Sequence, residues 1–156
     1  MKIDQLPTPV YVVDEGKLED NLKILKSVAD ETGCKVLLAQ KAFSLFATYP
    51  LISAYLSGTT ASGLYEAKLA YEEFGGEVHV FAPAFKDADL KEILAIADHI
   101  VFNSENQLRK HYEKCRAAGL SIGLRINPEC STQGDHAIYD PCAVGSRFGV
   151  TRDKFT

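Results

Sequence analysis

The chain contains no tryptophan and a single methionine, and none of its four cysteines, Cys34, Cys115, Cys130 and Cys142, falls in a C-x-x-C pair. That spacing excludes a zinc ribbon or a thioredoxin-type redox motif, and reduced thiols in a cytoplasmic protein are the simplest account. No apolar run approaches the roughly 20 residues that a membrane helix needs. The opening Met1-Lys2-Ile3-Asp4-Gln5-Leu6-Pro7 has no apolar stretch of signal-peptide type. Basic residues form no stripe and the net charge is −4, which argues against nucleic acid as a partner. Neither G-x-G-x-x-G nor G-x-x-x-x-G-K-[ST] occurs, so dinucleotide and P-loop nucleotide sites lose their sequence support.

What is present suits one domain: 156 residues, 46% hydrophobic and 24% charged. Thr8 to Asp14 alternates and is β-branched, which predicts a short leading strand. Asp14 can cap a helix whose inward face is Leu18, Leu22, Leu25 and Val28 and which Gly33 ends. Val36-Leu37-Leu38-Ala39-Gln40-Lys41 predicts a strand buried on both faces that delivers one lysine at its carboxyl end. A broken helical pattern from Leu45 to Leu56 follows, and then the small-residue strand Gly58-Thr59-Thr60-Ala61-Ser62-Gly63, where backbone or a cofactor can approach closely. Leu64, Ala67, Ala70 or Tyr71, and Phe74 face inward on the next helix. Glu77 to Pro83 predicts a strand, Asp87 opens a helix carrying Leu90, Ile93, Leu94 and Ala97, and His99 to Asn103 predicts another strand. Ser104 with Gln107 is a capping box, for a helix holding Leu108, Tyr112 and Cys115 inward. Ser121 to Asn127 is one more strand.

Strand starts near residues 36, 59, 77, 99 and 121 recur at roughly 20-residue intervals, the rhythm of βα units with short loops. Such alternation predicts a parallel sheet, either doubly wound or a (β/α) barrel. A complete eight-stranded barrel needs about 250 residues. Five units and an ending at Thr151 to Thr156 that opens without closing predict the front part of a longer protein.

Lysines at the carboxyl ends of such strands stand where α/β folds keep their chemistry. Partial desolvation there favours the neutral amine, which can attack an aldehyde and form a Schiff base; a lysine reaching to water is the plainer reading. Arg125, in the otherwise apolar Gly123-Leu124-Arg125-Ile126, needs an anionic partner or a polar opening. Thr59, Thr60 and Ser62 are expected at the mouth of their strand, as ligand hydroxyls or as turn satisfiers. The four histidines, His79, His99, His111 and His136, are scattered along the sequence, and His111 with Cys115 makes no zinc site by itself, so no metal is predicted.

The strand-and-lysine opening, TPVYVVD followed by VLLAQKAFS, resembles the start of the pyridoxal-phosphate decarboxylases built on an alanine-racemase-like barrel (fold type III). Asn127-Pro128-Glu129-Cys130, Tyr139-Asp140-Pro141-Cys142 and Gly145-Ser146-Arg147-Phe148-Gly149 are similar, in order and spacing, to a loop of the carboxynorspermidine (carboxyspermidine) branch of that group. The resemblance covers nearly the whole chain but only the front of the family's, about five βα units of a (β/α)8 TIM-type barrel, with residues 1–14 a leading strand belonging to a separate C-terminal β-domain. It implies pyridoxal 5'-phosphate as cofactor, with Lys41 as the catalytic residue and cofactor holder and Arg125 and Ser62 lining the cofactor. It implies loss of CO2 from carboxynorspermidine or carboxyspermidine in polyamine biosynthesis, in a cytoplasmic homodimer. Glu129, Asp135 and Asp140 are candidates for attracting a polyamine cation. The family's phosphate-binding glycine loop and its pyridine-pairing acid are absent from these residues, so the segment alone is expected to be inactive. The alternatives are a related decarboxylase acting on diaminopimelate, ornithine or arginine, a non-catalytic barrel that carries the same cofactor, and a structural half-barrel that pairs with another chain.

Overall fold

A computed structural model describes residues 3–131, 134 and 139–155. Five parallel strands, β1 (Leu37–Ala39), β2 (Gly58–Ala61), β3 (Glu77–Phe81), β4 (His99–Phe102) and β5 (Ser121–Leu124), pair in simple sequence order. Five helices alternate with them: α1 (Glu15–Thr32), α2 (Tyr49–Ser53), α3 (Leu64–Glu73), α4 (Asp87–Ile93) and α5 (Glu105–Ala117). The strand order never reverses, so the sheet has no switch point of the doubly wound kind.

Alternate residues of every strand turn to the helices. Ala61, Val78, Val80, Ile100 and Phe102 are buried and join Leu64, Ala67, Ala70, Leu90, Ile93 and Cys115 in one apolar layer, with Ile122 and Leu124 of β5 packed against it. Each large side chain fully buried there contributes about 1.5–3 kcal/mol. Val36 and Leu38 pack with Leu22, Tyr49, Ile52 and Phe74 in a second cluster beneath α1 and α2. The register aligns Leu38 with Thr59 and Val78, and Ala61 with Val80, Ile100 and Ile122. All helix contacts of the sheet therefore fall on one face, as on the outside of a barrel wall. Cys115 is fully buried in this layer, and burial pushes its thiol above the usual cysteine range.

Two crossings fix the spacing of the strands. A Cβ on Gly58 would lie 2.1 Å from the Glu77 carbonyl oxygen, and one on Gly76 would lie 2.7 Å from the Ser57 oxygen. Here the entries to β2 and β3 approach closer than any side chain permits, and Ser57 O accepts from Glu77 N at 3.0 Å.

The helix punctuation behaves as the sequence predicts. Asp14 Oδ1 accepts from Lys17 N at 3.1 Å, Gly33 ends α1 in the left-handed region, and Ser104 Oγ accepts from Gln107 N at 3.3 Å. Pro50 occupies the first turn of α2 after a 3-10 turn at Phe46–Thr48, which accounts for the broken pattern there.

Several expectations are corrected. Residues 8–14 form no strand, and Val10, Tyr11 and Val12 are exposed; a β-branched pattern needs a neighbouring strand to pair with, and no described residue supplies one. On α1 only Leu22 is buried while Leu25 and Val28 are exposed, because nothing described covers the amino-distal part of that stripe. β1 is half-buried rather than enclosed on both faces, since its helix-free side faces no packed layer. On α5 the inward position is His111, not Tyr112, which is 43% exposed. His111 stacks on Phe102 with ring centroids 5.9 Å apart, and burial lowers its pKa. Tyr71 on α3 is likewise exposed and Ala70 takes the core position.

Candidate functional site

Among the described residues no helix packs on the other face of the sheet. The two-residue alternation gives it Leu37 and Ala39 of β1, Thr60 of β2, Glu77, His79 and Phe81 of β3, His99 and Val101 of β4, and Gly123 of β5. Just past the strand ends, Lys41 in the turn after β1, Ser62 after β2, Asn103 after β4 and Arg125 after β5 lie at the carboxyl rim of the sheet.

Lys41 stands just after β1. Gln40 N still donates to Thr60 O at 3.2 Å, extending the parallel ladder one residue, and Ala42 N then donates to Ala39 O at 2.9 Å to turn the chain. Gln40 is 1% exposed and points into the helix layer, where its Nε2 donates to Glu66 O at 2.9 Å and its Oε1 accepts from Tyr49 OH at 3.2 Å. Burial, followed by the Glu66 charge, raises the Tyr49 pKa, so the phenol remains a donor. Lys41, the next residue of that turn, is exposed.

Ser62 directly follows β2. Its backbone N donates to Glu66 Oε2 at 2.6 Å, and its side chain is exposed at the entry to α3. Thr59 is not at the mouth as expected. It is fully buried against the helices, and its Oγ1 has no hydrogen-bond partner among the described residues. Thr60, one residue on, takes the helix-free side.

Arg125 lies three strands from Ser62 but leans back towards it. Its Cζ sits 4.8 Å from the centroid of the Phe81 ring of β3 and 4.5 Å from that of Phe148, so the guanidinium crosses over β4. Stacking on two aromatic faces satisfies a half-buried guanidinium without spending its N–H donors, which stay available to an anion.

Phe148 is held by a feature the sequence analysis missed. Asn103, at the end of β4, donates from Nδ2 to Arg147 O at 2.7 Å and accepts at Oδ1 from Gly149 N at 2.8 Å. Val150 then bridges to Ile126, with Asn127 N donating to Val150 O at 2.8 Å. Gly149 has φ +80°, and a Cβ there would lie 2.8 Å from Asn127 N, so the GSRFG segment needs its glycine. An amide at a strand end followed by a capping serine was the available signal for Asn103. Asn103→Ala is expected to cost about 1–2 kcal/mol for the two lost hydrogen bonds and to speed hydrogen exchange at the Gly149 amide. Denaturant unfolding together with exchange mass spectrometry measures both.

Of the candidate acids, Glu129 has a positive φ of 53° in the exposed loop and Asp140 Oδ1 accepts from Cys142 N at 2.8 Å. Asp135 and His136 lie outside the described residues. Cys130 and Cys142 are free thiols.

The histidines are less scattered in space than in sequence. His79 and His99 are directly paired on β3 and β4, and their rings stack with centroids 3.9 Å apart. Glu77 Oε2 lies 3.0 Å from His79 Nε2, and Lys35 Nζ bonds the other Glu77 oxygen. The Lys35 hydrogen bond, followed by that of His79, holds the Glu77 carboxyl down at about 2.

The chemistry of the rim is therefore an amine, a guanidinium and a hydroxyl, a donor set suited to an anionic aldehyde such as pyridoxal phosphate. No family model matches the chain. It is 43% identical over 150 residues to the carboxyaminopropylagmatine decarboxylase of Synechocystis, an alignment covering 96% of this chain and 38% of that protein. It is 40% identical over 155 residues to the carboxynorspermidine/carboxyspermidine decarboxylase of Campylobacter jejuni, covering 99% of this chain and 40% of that one. The crystal structure of the Campylobacter jejuni carboxynorspermidine decarboxylase complexed with norspermidine superposes with a TM-score of 0.82 at 39% identity, covering 94% of this chain and 36% of that chain. The five-stranded α/β architecture matches the N-terminal part of that structure. The chain thus spans about two fifths of the length of the curated relatives it matches.

Proposed function

We propose that residues 1–156 are the N-terminal part of the cofactor-binding barrel of a pyridoxal-phosphate-dependent decarboxylase of polyamine biosynthesis, acting on carboxynorspermidine or carboxyspermidine. What supports this reading is that Lys41, Ser62 and Arg125 follow the carboxyl ends of β1, β2 and β5 of one parallel sheet, with the Arg125 guanidinium stacked on Phe81 of β3. The likeness to relatives named for such decarboxylation supports it.

Pyridoxal phosphate, when bound, supplies an aldehyde to which a lysine amine attaches and a pyridine ring that accepts the electron pair left behind as CO2 departs. Lys41 would hold the aldehyde carbon through Nζ. The N–H groups of Arg125 would donate to an anionic oxygen of the cofactor. Phe81 and Phe148 keep that guanidinium in place and exclude water from its faces. Ser62 donates a hydroxyl hydrogen bond beside Lys41. Lengths of chain beyond these residues complete the barrel and provide the β-domain, and the working enzyme is a cytoplasmic homodimer. Among the described residues no helix is long and apolar enough to cross a membrane.

The substrate is settled by CO2 release from a panel comprising carboxynorspermidine, carboxyspermidine, carboxyaminopropylagmatine, diaminopimelate, ornithine and arginine, offered to the full-length protein. The first two should lead. Preference for carboxyaminopropylagmatine would keep the reaction and move the substrate, whereas preference for ornithine, arginine or diaminopimelate would overturn the assignment to carboxynorspermidine or carboxyspermidine.

A further inference from the structure

The helix-free face holds a second cluster that the decarboxylase reading leaves unused. Glu77 and His79 share a face of β3 two residues apart, and His99 opens β4 directly opposite His79. One donor atom from each of the three lies within 4.8 Å of the other two. We propose that Glu77, His79 and His99 bind one divalent cation of the zinc class, with water completing the coordination, and that the ion clips the amino ends of β3 and β4 together.

Two imidazole nitrogens and one carboxylate oxygen are a ligand set that zinc accepts with a position left open for water. Magnesium and calcium prefer oxygen alone, so the imidazoles select against them. Donor atoms around a tetrahedral zinc stand about 3.3 Å apart, given metal–ligand bonds of about 2.0 Å. Glu77 and His79 already stand at 3.0 Å. The two rings are stacked at an interplanar angle of 18°, which sends their in-plane lone pairs side by side rather than to one point. Convergence takes rotation of one ring about its terminal torsion, which is broad for histidine. The proton between His79 and Glu77 leaves to solvent as the ion takes its place.

The surroundings suit this role. Lys35 holds the Glu77 oxygen that does not face His79, orienting the carboxylate from outside as supporting hydrogen bonds do in metal centres. Among the described residues the side chains of His79 and Glu77 are 24% and 27% exposed. Thr60 lies level with the pair across β2 and is small enough to leave room.

The test is titration of the metal-stripped intact protein with Co2+, followed by visible absorption, and then displacement by Zn2+. One equivalent should give tetrahedral ligand-field bands without thiolate charge-transfer absorption, and His99→Gln and His79→Gln should each weaken binding at least tenfold. Cobalt bound with thiolate absorption, or undiminished in His99→Gln, would assign the metal elsewhere and overturn the proposal, as would failure of the unaltered protein to bind. Imidazole NMR resonances of the unaltered protein guard against misfolded variants. Zn2+ should move those of His79 and His99 and leave His111 in place, and the reverse pattern would refute the site. None of these readouts depends on the cofactor.

Discussion

Replacing Lys41 with alanine in the full-length protein should lower the decarboxylation rate by about 10^3-fold or more, the scale of losing a residue that bonds covalently to the reacting system. Borohydride reduction of the unaltered protein in the presence of pyridoxal phosphate should leave a pyridoxyl mass on the peptide carrying Lys41, and in Lys41→Ala that mass should vanish. The structure makes the comparison clean. Lys41 is exposed, and the residue that anchors this strand end is its neighbour Gln40, bonded to Tyr49 and Glu66 in the helix layer. Truncation at Lys41 therefore removes an amine without opening a cavity, and the thermal midpoint should stay within a degree or two of the parent, since surface changes usually cost under about 0.5 kcal/mol. Lys41→Arg should be equally inactive, because it keeps the charge and loses the nucleophile. A pyridoxyl group found on any other lysine, with activity retained in Lys41→Ala, would end the assignment.

The largest effect on folding should come from Gly58. Its Cα lies so close to the β3 backbone that a methyl group would sit 2.1 Å from Glu77 O, 2.7 Å from Glu77 N and 2.8 Å from Glu77 C. These are main-chain atoms in the middle of a sheet, bonded to Ser57 on one side and registered against Gly58 itself. They cannot yield as a flexible side chain would, so the strands must part. Gly58→Ala should cost more than about 4 kcal/mol, a loss reserved for severe overpacking and backbone conflict, and Gly58→Val should leave no folded protein. Urea unfolding of the alanine variant decides the matter. A loss below about 1 kcal/mol would mean that the two strands do not approach as closely as described.

How much of this was legible in the sequence depends on whether the signal is local. Caps and breakers are local: Asp14, Gly33, Pro50 and Ser104 act on residues within a turn of themselves, and each does what its chemistry dictates. The βα rhythm is a sum of such signals and gave the parallel sheet. Strand parity is not local. A shift of one residue moves a side chain to the other face, which is how Thr59, expected at the rim, lies instead against the helices while Thr60 takes the open side. Burial on helices is set by what arrives to cover them. Val28 and Leu25 carry the right spacing and stay wet, whereas His111, polar and easily passed over, fills the place next to Phe102 that Tyr112 seemed to claim. Residues 8–14 are unpaired among the described residues for the same reason, because alternation at Val10 to Val12 is a statement about half of a pair. His79 and His99, twenty residues apart, meet only because β3 and β4 align in that register. The Asn103 clamp joins a strand end to residues more than forty positions later, beyond the reach of any pattern window.

Cys115 gives the fold its own stopwatch. Cys34 and Cys130 stand in solvent and are open to a thiol reagent, whereas Cys115 is sealed on the inner face of α5. Its alkylation must wait until that helix lifts from the wall, so in this chain the slowest thiol to be labelled measures how often the main layer breathes, without any probe being added.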